Sequence, residues 1–199
     1  QQRPAPAGGG IFKDEWWKYA DVAPRLQYRT IYVDTAQKTK EQNDYSVFQC
    51  WGFSTEGNAV LLDMIRGKWE APDLLERARA FWVKHAALRG APHGTLRAMR
   101  IEDKVSGTGL IQTMRREGVP VQGIQRSTDK VTRAHDVTPQ IENGRVVLLR
   151  SCPGLSDFLS EASAFPNGTH DDTIDPMMDA VSDMLGGNSF DLRDMVGNM

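Results

Sequence analysis

The stretch Tyr28-Arg-Thr-Ile-Tyr-Val-Asp34 decides the fold, because it is a β-rich run that ends on an acidic residue. Two more β-rich runs follow closely, at 45–53 and 59–67, and the connection between them, Ser54-Thr-Glu-Gly-Asn58, contains a glycine. Close spacing with such a connection predicts antiparallel neighbours. The run at 27–34 therefore opens a three-stranded antiparallel unit. Ahead of it, residues 14–19 predict a short helix whose two tryptophans need a partner surface, on this domain or on an absent one.

Beyond this unit, helical and strand patterns alternate. Apolar residues at helical spacing predict a helix at 71–88, and then a strand at 96–102, a helix at 107–117, a strand at 119–124 and a helix from about residue 128. Such alternation predicts parallel strands joined by helical crossovers. Thr138-Pro139 predicts a separate helical turn, and the remaining pattern predicts a strand at 145–149 and helices at 154–164 and 171–185.

This order of elements resembles the ribonuclease H-like fold. We therefore expect an α/β domain whose mixed central sheet has three antiparallel strands, then parallel strands, and is flanked by helices. In that fold the first strand is central and the fourth lies beside it. Asp34 and Glu102, which end those two strands, are expected to face each other.

Composition indicates a soluble globular protein. The chain has 199 residues, of which 40% are hydrophobic and 25% charged, and its net charge is -2. Binding to nucleic acid would therefore need a local basic patch. Cys50 and Cys152 are far apart and predict neither a zinc site nor a disulfide framework, and no apolar run is long enough to cross a membrane.

Acidic residues stand at the ends of predicted elements. Besides Asp34 and Glu102, the pair Asp171-Asp172 opens the last helical segment. Carboxylates gathered in one place repel each other, whereas two divalent ions, Mg²⁺ or Mn²⁺, would neutralise them and use their oxygens as ligands. The alternatives are a turn role for a strand-end Asp and helix capping by the pair.

Several motifs together resemble the nuclease domain of the large terminase subunit of tailed bacteriophages. The resemblance runs from about residue 27 to 185 and rests on the following pieces: Tyr32-Val-Asp34-Thr-Ala36, Asn43-Asp-Tyr-Ser46, Ile101-Glu-Asp-Lys-Val-Ser-Gly107, Asp129-Lys-Val-Thr-Arg133, Gly144-Arg-Val-Val147 and Phe165-Pro-Asn-Gly-Thr-His-Asp-Asp172. The ordered set is specific, and no single piece is.

The resemblance implies a metal-dependent endonuclease that cuts concatemeric double-stranded DNA when packaging starts and ends. It makes Asp34, Glu102, Asp171 and Asp172 the catalytic acids and metal ligands. Pro176 moves the expected start of the last helix towards Asp175, which leaves open which member of the pair binds which ion.

The same resemblance implies the partners and the surroundings. These are an ATPase domain, a small terminase subunit and a portal protein, met in the host bacterial cytoplasm at the procapsid portal. No ATP-binding Gly-x-x-x-x-Gly-Lys loop is present. We therefore interpret 1–10 as a flexible linker from an absent ATPase domain, 11–186 as the nuclease domain and 187–199 as a frayed tail.

Basic residues on the crossover segments are candidates for contacts with DNA phosphates. They are Lys104, Arg115, Arg116, Arg126, Lys130 and Arg133. Lys104 is also a catalytic candidate, because it follows Glu102 closely enough to orient a phosphate or the attacking water. Each of these basic side chains could instead be a solvated surface group. His170 is an alternative metal or proton-transfer residue, or a turn histidine that only hydrogen-bonds.

Two other functions fit the same sequence. The domain could be another kind of ribonuclease H-like nuclease, of the junction-resolvase type, which would cut four-way junctions. A docking module for the portal or small subunit would bind its partner and leave the nuclease activity latent.

Overall fold

A computed structural model describes residues 10–36 and 45–186. The predicted tail at 187–199, and the predicted linker except for Gly10, lie outside the described residues. No helix within these two ranges has the length and apolar character that a membrane span requires.

The described residues include seven strands: β1 (Lys18–Ala20), β2 (Leu26–Asp34), β3 (Ser46–Ser54), β4 (Ala59–Gly67), β5 (Thr95–Glu102), β6 (Val121–Ile124) and β7 (Val146–Leu149). They form one sheet in the order β1-β7-β4-β3-β2-β5-β6. The strands β2, β3 and β4 are antiparallel neighbours, and every other pairing is parallel. The predicted mixed sheet is therefore confirmed, and its first long strand, β2, lies in the interior between β3 and β5.

Helices cover both faces of the sheet and bury two apolar cores. Helices α1 (Ala71–Ala86) and α2 (Val105–Arg116) close the core on one face. Helices α3 (Lys130–Glu142), α4 (Leu155–Ala164) and α5 (Ile174–Leu185) close the larger core on the other. Alternate residues of the interior strands β2 and β3 supply the two cores, as the period of a strand requires.

The prediction of a helix break at Thr138-Pro139 is wrong. Helix α3 runs continuously from Lys130 to Glu142 with Pro139 inside it. A proline removes one helical hydrogen bond and crowds the preceding turn. Here Ala134, Val137 and Ile141 form a buried stripe on both sides of the proline, so packing against the core holds the helix together.

The predicted short helix at 14–19 is also corrected. Asp14–Trp16 forms a single 3₁₀ turn, and the chain then enters β1, which pairs with β7 at the edge of the sheet. Trp17 finds its partner within this domain, since its ring lies edge-on to Phe158 at 5.4 Å between centroids.

Side chains from two other elements hold the start of α5. The amide Nε2 of Gln49, on β3, donates to the carbonyl of Thr173 at 2.8 Å. The carboxylate of Glu161, on α4, accepts hydrogen bonds from both the backbone N–H and the hydroxyl of Thr173. Helix α5 then begins at Ile174, so Pro176 falls in the first turn, where a proline costs little.

Candidate active site

Asp34 and Glu102 are the last residues of β2 and β5, which are adjacent parallel strands. The residues just before them, Val33 and Ile101, are paired in the register, so the two acids lie at the same end of these adjacent strands. They also share a face, because Tyr32 and Arg100, two positions earlier on each strand, both contact Asp183 of α5. The expected meeting of Asp34 and Glu102 is present.

A guanidinium lies where these acids meet. Arg126, from the loop between β6 and α3, places its Nη1 3.5 Å from Asp34 Oδ2 and 2.8 Å from Glu102 Oε2. The same nitrogen is 3.7 Å from Oδ2 of Asp175, in the first turn of α5. Three carboxylates from three separate elements thus surround one nitrogen atom.

More charged side chains extend this group, which we call the carboxylate cluster. Lys104 contacts Glu102 at 2.7 Å, and Lys130 contacts both Asp171 and Asp175 at 2.7 Å. Five acids therefore face four bases, giving a formal charge of -1. The acids are Asp34, Glu102, Asp171, Asp175 and Asp179, and the bases are Lys104, Arg126, Lys130 and Arg133.

Burial sets the protonation of Asp34. It raises the pKa of this carboxyl to about 8, and the negative charges of Asp175 and Glu102 act in the same direction. Arg126 opposes the rise but does not cancel it. In the described structure Asp34 is therefore neutral over much of the neutral pH range.

Asp175 behaves in the opposite way. Burial would raise the pKa of this carboxyl, but Arg126 and Lys130 outweigh burial and lower it. The pKa of Asp179 is raised, because burial there prevails over Arg126 and Arg133. The negative charge is thus distributed unevenly, because Asp175 ionises more easily than an ordinary aspartate and Asp34 ionises less easily.

The predicted pair Asp171-Asp172 is divided between two surroundings. Asp171 reaches the cluster through its contact with Lys130, which it shares with Asp175. Asp172 lies 3.8 Å from Arg66 and 3.9 Å from His170, so it faces a different group. The roles of both acids as ligands stay predictions.

The adjacent acids Glu102 and Asp103 lie in different surroundings, as alternation along a strand predicts. Glu102 is buried in the carboxylate cluster, with only 3% of its side chain exposed. Asp103 is exposed and accepts a hydrogen bond from the hydroxyl of Thr108 at 2.9 Å. Lys104 stands at the edge of the cluster with 48% of its side chain exposed, beside Glu102.

The predicted DNA contacts fall into two groups. Arg126, Lys130 and Arg133 are engaged with the acids of the carboxylate cluster. Arg115 and Arg116 lie in the last turn of α2, roughly 15 Å along the axis from its first residue at about 1.5 Å per residue. These two arginines are therefore separated from Glu102, and their contact with DNA stays a prediction.

Sequence reasoning missed Asp175 and Asp179. The signal was present, because Asp171, Asp175, Asp179 and Asp183 recur every fourth residue. Residues four apart lie on one face of a helix. In α5, Asp175 and Asp179 face the basic side chains of the β6–α3 region, and Asp183 contacts Arg100 of β5. An acidic stripe inside an otherwise apolar helix is the pattern that marks such a buried charged group.

The donor set suits a hard divalent cation, but its present spacing does not. Within the described ranges, no group of three or more His, Cys, Asp or Glu side chains is already arranged to hold a metal ion. Mg²⁺ requires oxygens at about 2.0–2.1 Å, whereas the three carboxylates surround Arg126 Nη1 at 2.8–3.7 Å. The carboxylates have the right chemistry and would have to move inward.

The sheet order, the helices on both faces and the acids at the ends of two central strands define a ribonuclease H-like domain. Residues 31–183 match the family described as the terminase RNaseH-like domain. The chain belongs to this family. A search of curated proteins finds none whose sequence matches.

Solved structures with the same fold include three terminases. The large terminase of a thermophilic bacteriophage, in complex with ADP, superposes with a TM-score of 0.66 at 13% identity over 90% of this chain and 46% of that one. The large terminase nuclease of thermophilic phage G20c with bound magnesium gives 0.60 at 16% identity over 89% and 98%. The human cytomegalovirus terminase nuclease domain gives 0.60 at 13% identity over 78% and 82%. The present chain thus spans about half the length of the ADP-bound large terminase.

Proposed function

We propose that this domain is a metal-dependent endonuclease that cuts double-stranded DNA during viral genome packaging. The observation that carries the proposal is the meeting of Asp34, Glu102 and Asp175 around one nitrogen atom. Family membership and the magnesium-bound G20c nuclease, which has the same fold, support it.

Asp34, Glu102 and Asp175 would hold the divalent ions, Mg²⁺ or Mn²⁺, with Asp171 as a further ligand on the outer side. The choice of hard cations follows from ligands that are all carboxylate oxygens. When bound, two such ions supply the activation of water and the stabilisation of the departing 3′ oxygen. Asp172, which faces Arg66, is outside this set.

The chain's own residues would prepare the substrate. Lys104 is half-exposed beside Glu102, so its ammonium group can bind a phosphate oxygen of DNA that lies over the carboxylate cluster. The buried neighbours of Asp34 exclude bulk water and strengthen every charge interaction within the site. Binding would be through phosphates and therefore insensitive to base sequence.

In the whole packaging protein, this domain would cut concatemers at the start and end of packaging. An ATPase domain, a small terminase subunit and a portal protein would be its partners, in the host cytoplasm at the procapsid portal.

Nicking of supercoiled plasmid by the purified domain tests the proposal. We expect cutting with Mg²⁺ or Mn²⁺ and none in excess chelator. Asp34→Asn, Glu102→Gln and Asp175→Asn should each lose at least about 100-fold in rate, as expected for metal ligands. Asp172→Asn is the comparison from the predicted pair and should keep most of the activity.

Asp136→Asn is the matched control, because Asp136 is an exposed acid of α3. Undiminished nicking in excess chelator, or full activity of Asp34→Asn, would contradict the proposal. A linear duplex and a four-way junction in the same assay separate a general endonuclease from a junction resolvase, since the latter would cut the junction alone.

A further inference from the structure

Arg126 holds an unusual position for a residue predicted to contact DNA. Only 6% of its side chain is exposed, and its Nη1 faces Asp34, Glu102 and Asp175 together. An exposed phosphate ligand would leave its charge in solvent. This guanidinium is instead directed inward, at the oxygens that a divalent ion would need.

The guanidinium and a divalent ion cannot share this position. A metal ion at about 2.1 Å from an oxygen of each carboxylate would lie within the space of Nη1, which is 2.8 Å from Glu102 Oε2. Their like charges would also repel strongly in a buried site. Binding of one therefore requires displacement of the other.

Asp179 provides a place to which the displaced guanidinium can withdraw. Arg126 Nη2 and Nε lie 2.7 and 3.3 Å from Asp179 Oδ2. Asp179 is not among the three acids around Nη1. The side chain can therefore release Nη1 from the metal-binding oxygens and still keep a charged partner, which lowers the cost of displacement.

We propose that Arg126 is an internal counter-ion that competes with the divalent metal for Asp34, Glu102 and Asp175. Loading of metal and withdrawal of the guanidinium are then one event. The inference rests on the proposed function, because it takes these acids as metal ligands. It adds that the metal-free domain keeps its carboxylates together by supplying a cation of its own, and that its apparent affinity for metal is reduced accordingly.

Mn²⁺ binding, followed by the electron paramagnetic resonance signal of the free ion, tests the competition in the 199-residue chain. Arg126→Gln removes the competing charge and should bind Mn²⁺ at least about tenfold more tightly than the unaltered protein. Its melting temperature should fall in chelator, where the acids lose their counter-ion, and recover when Mn²⁺ is added.

Arg133→Gln is the matched control. Arg133 contributes the same charge to the cluster and contacts Asp175 and Asp179, but its ion pairs include neither Asp34 nor Glu102. If Arg126 acts through its position, Arg133→Gln should change Mn²⁺ affinity by less than about threefold. Equal gains in both variants would overturn the inference in favour of a general charge effect.

A second measurement uses the unaltered protein and does not depend on the folding of a variant. The ¹⁵Nε resonance of Arg126, assigned by its absence in Arg126→Lys, should shift in step with Mg²⁺ binding. A resonance that stays in place while Mg²⁺ saturates the site would refute displacement.

Asp34→Asn separates the inference from the proposed function. Suppose that the unaltered protein and Arg126→Gln bind Mn²⁺ equally, and that adding Asp34→Asn to either of them abolishes this binding. The competition is then wrong and the metal site stands. If no variant shows Mn²⁺ binding that depends on Asp34, the metal site fails and the competition fails with it.

Discussion

Replacing Asp34 by asparagine should stabilise the metal-free domain while it abolishes cutting. The side chain ends the central strand β2 among buried acids, and its pKa is raised from 3.8 to about 8. Asparagine has nearly the same shape and is neutral at every pH. The substitution therefore removes the cost of burying a group that the unfolded chain ionises freely.

The size of the effect follows from proton linkage. Because the pKa is raised on folding, the folded protein keeps a proton that the unfolded chain loses. The free energy of unfolding is therefore unaffected by this carboxyl below about pH 4, and it falls as the pH rises towards 8. Each pH unit in this window lowers the free energy of unfolding by about 1.4 kcal/mol. At pH 7, roughly three units above the ordinary pKa of 3.8, the loss therefore reaches up to about 4 kcal/mol.

Urea unfolding at pH 5, 7 and 9, with chelator present, measures the difference. Asp34→Asn should exceed the unaltered protein by about 1–2 kcal/mol at pH 5 and by about 2–4 kcal/mol at pH 7, with little further change above pH 8. Asp136→Asn, at an exposed position, should show no such trend. A variant that is less stable than the parent at pH 7 and 9 would refute the reasoning, since Asp34 would then be stabilised as a carboxylate.

Three further substitutions test how the fold supports the site. Arg29→Met removes a buried guanidinium that donates to four backbone carbonyls around the end of α1, and urea unfolding should show a loss of about 3–5 kcal/mol; a loss below about 1 kcal/mol would contradict this. Gly94→Ala places a Cβ 2.7 Å from the backbone of Gln27 at a residue with φ +68°, so thermal unfolding should show a loss of about 2–4 kcal/mol, and unchanged stability would exclude the strain. Gln49→Leu leaves the carbonyl of Thr173 without its 2.8 Å donor; we expect about 1–3 kcal/mol of destabilisation together with weaker Mn²⁺ binding, and normal metal affinity would show that this contact does not position α5.

Local sequence pattern was sufficient for the central part of the fold. The antiparallel strands β3 and β4 have a short connection, and β2 and β5 end on acids whose adjacency follows from the order of elements. Edge strand β1 could not be predicted in the same way. It has three residues and pairs with β7, a strand far along the chain, so its conformation depends on a distant partner.

The residues of the candidate site also differ in how far local sequence predicts their positions. Asp34 and Glu102 were predictable because a strand end fixes both position and direction. The placement of Asp175 depends on where α5 begins, and that is decided by Gln49 and Glu161 from two other elements. The sequence of residues 171–185 alone therefore does not predict where the helix begins.

The partners of the acids explain how so much charge can be buried without unfolding the domain. A lone carboxylate in a buried site would be strongly destabilising, and like carboxylates repel. Here each acid has a basic partner, and one base can serve two acids, as Lys130 does for Asp171 and Asp175. The net charge of the cluster stays near zero, yet Asp34 is left poorly compensated, as its raised pKa shows. Such a site can fold without metal and still retain a carboxyl group whose ionisation a divalent ion would favour.

The raised pKa of Asp34 predicts that metal should stabilise the domain more at pH 8 than at pH 6. At pH 6 Asp34 must release its proton before it can bind an ion, whereas near its pKa of about 8 the proton is already half lost. That release should cost about 2 kcal/mol more at the lower pH. Differential scanning calorimetry with and without saturating Mg²⁺ at the two pH values measures the difference, with Asp34→Asn as the comparison. Equal gains from Mg²⁺ at both pH values would show that metal binding does not displace a proton from Asp34, because a protonated ligand must bind an ion less tightly.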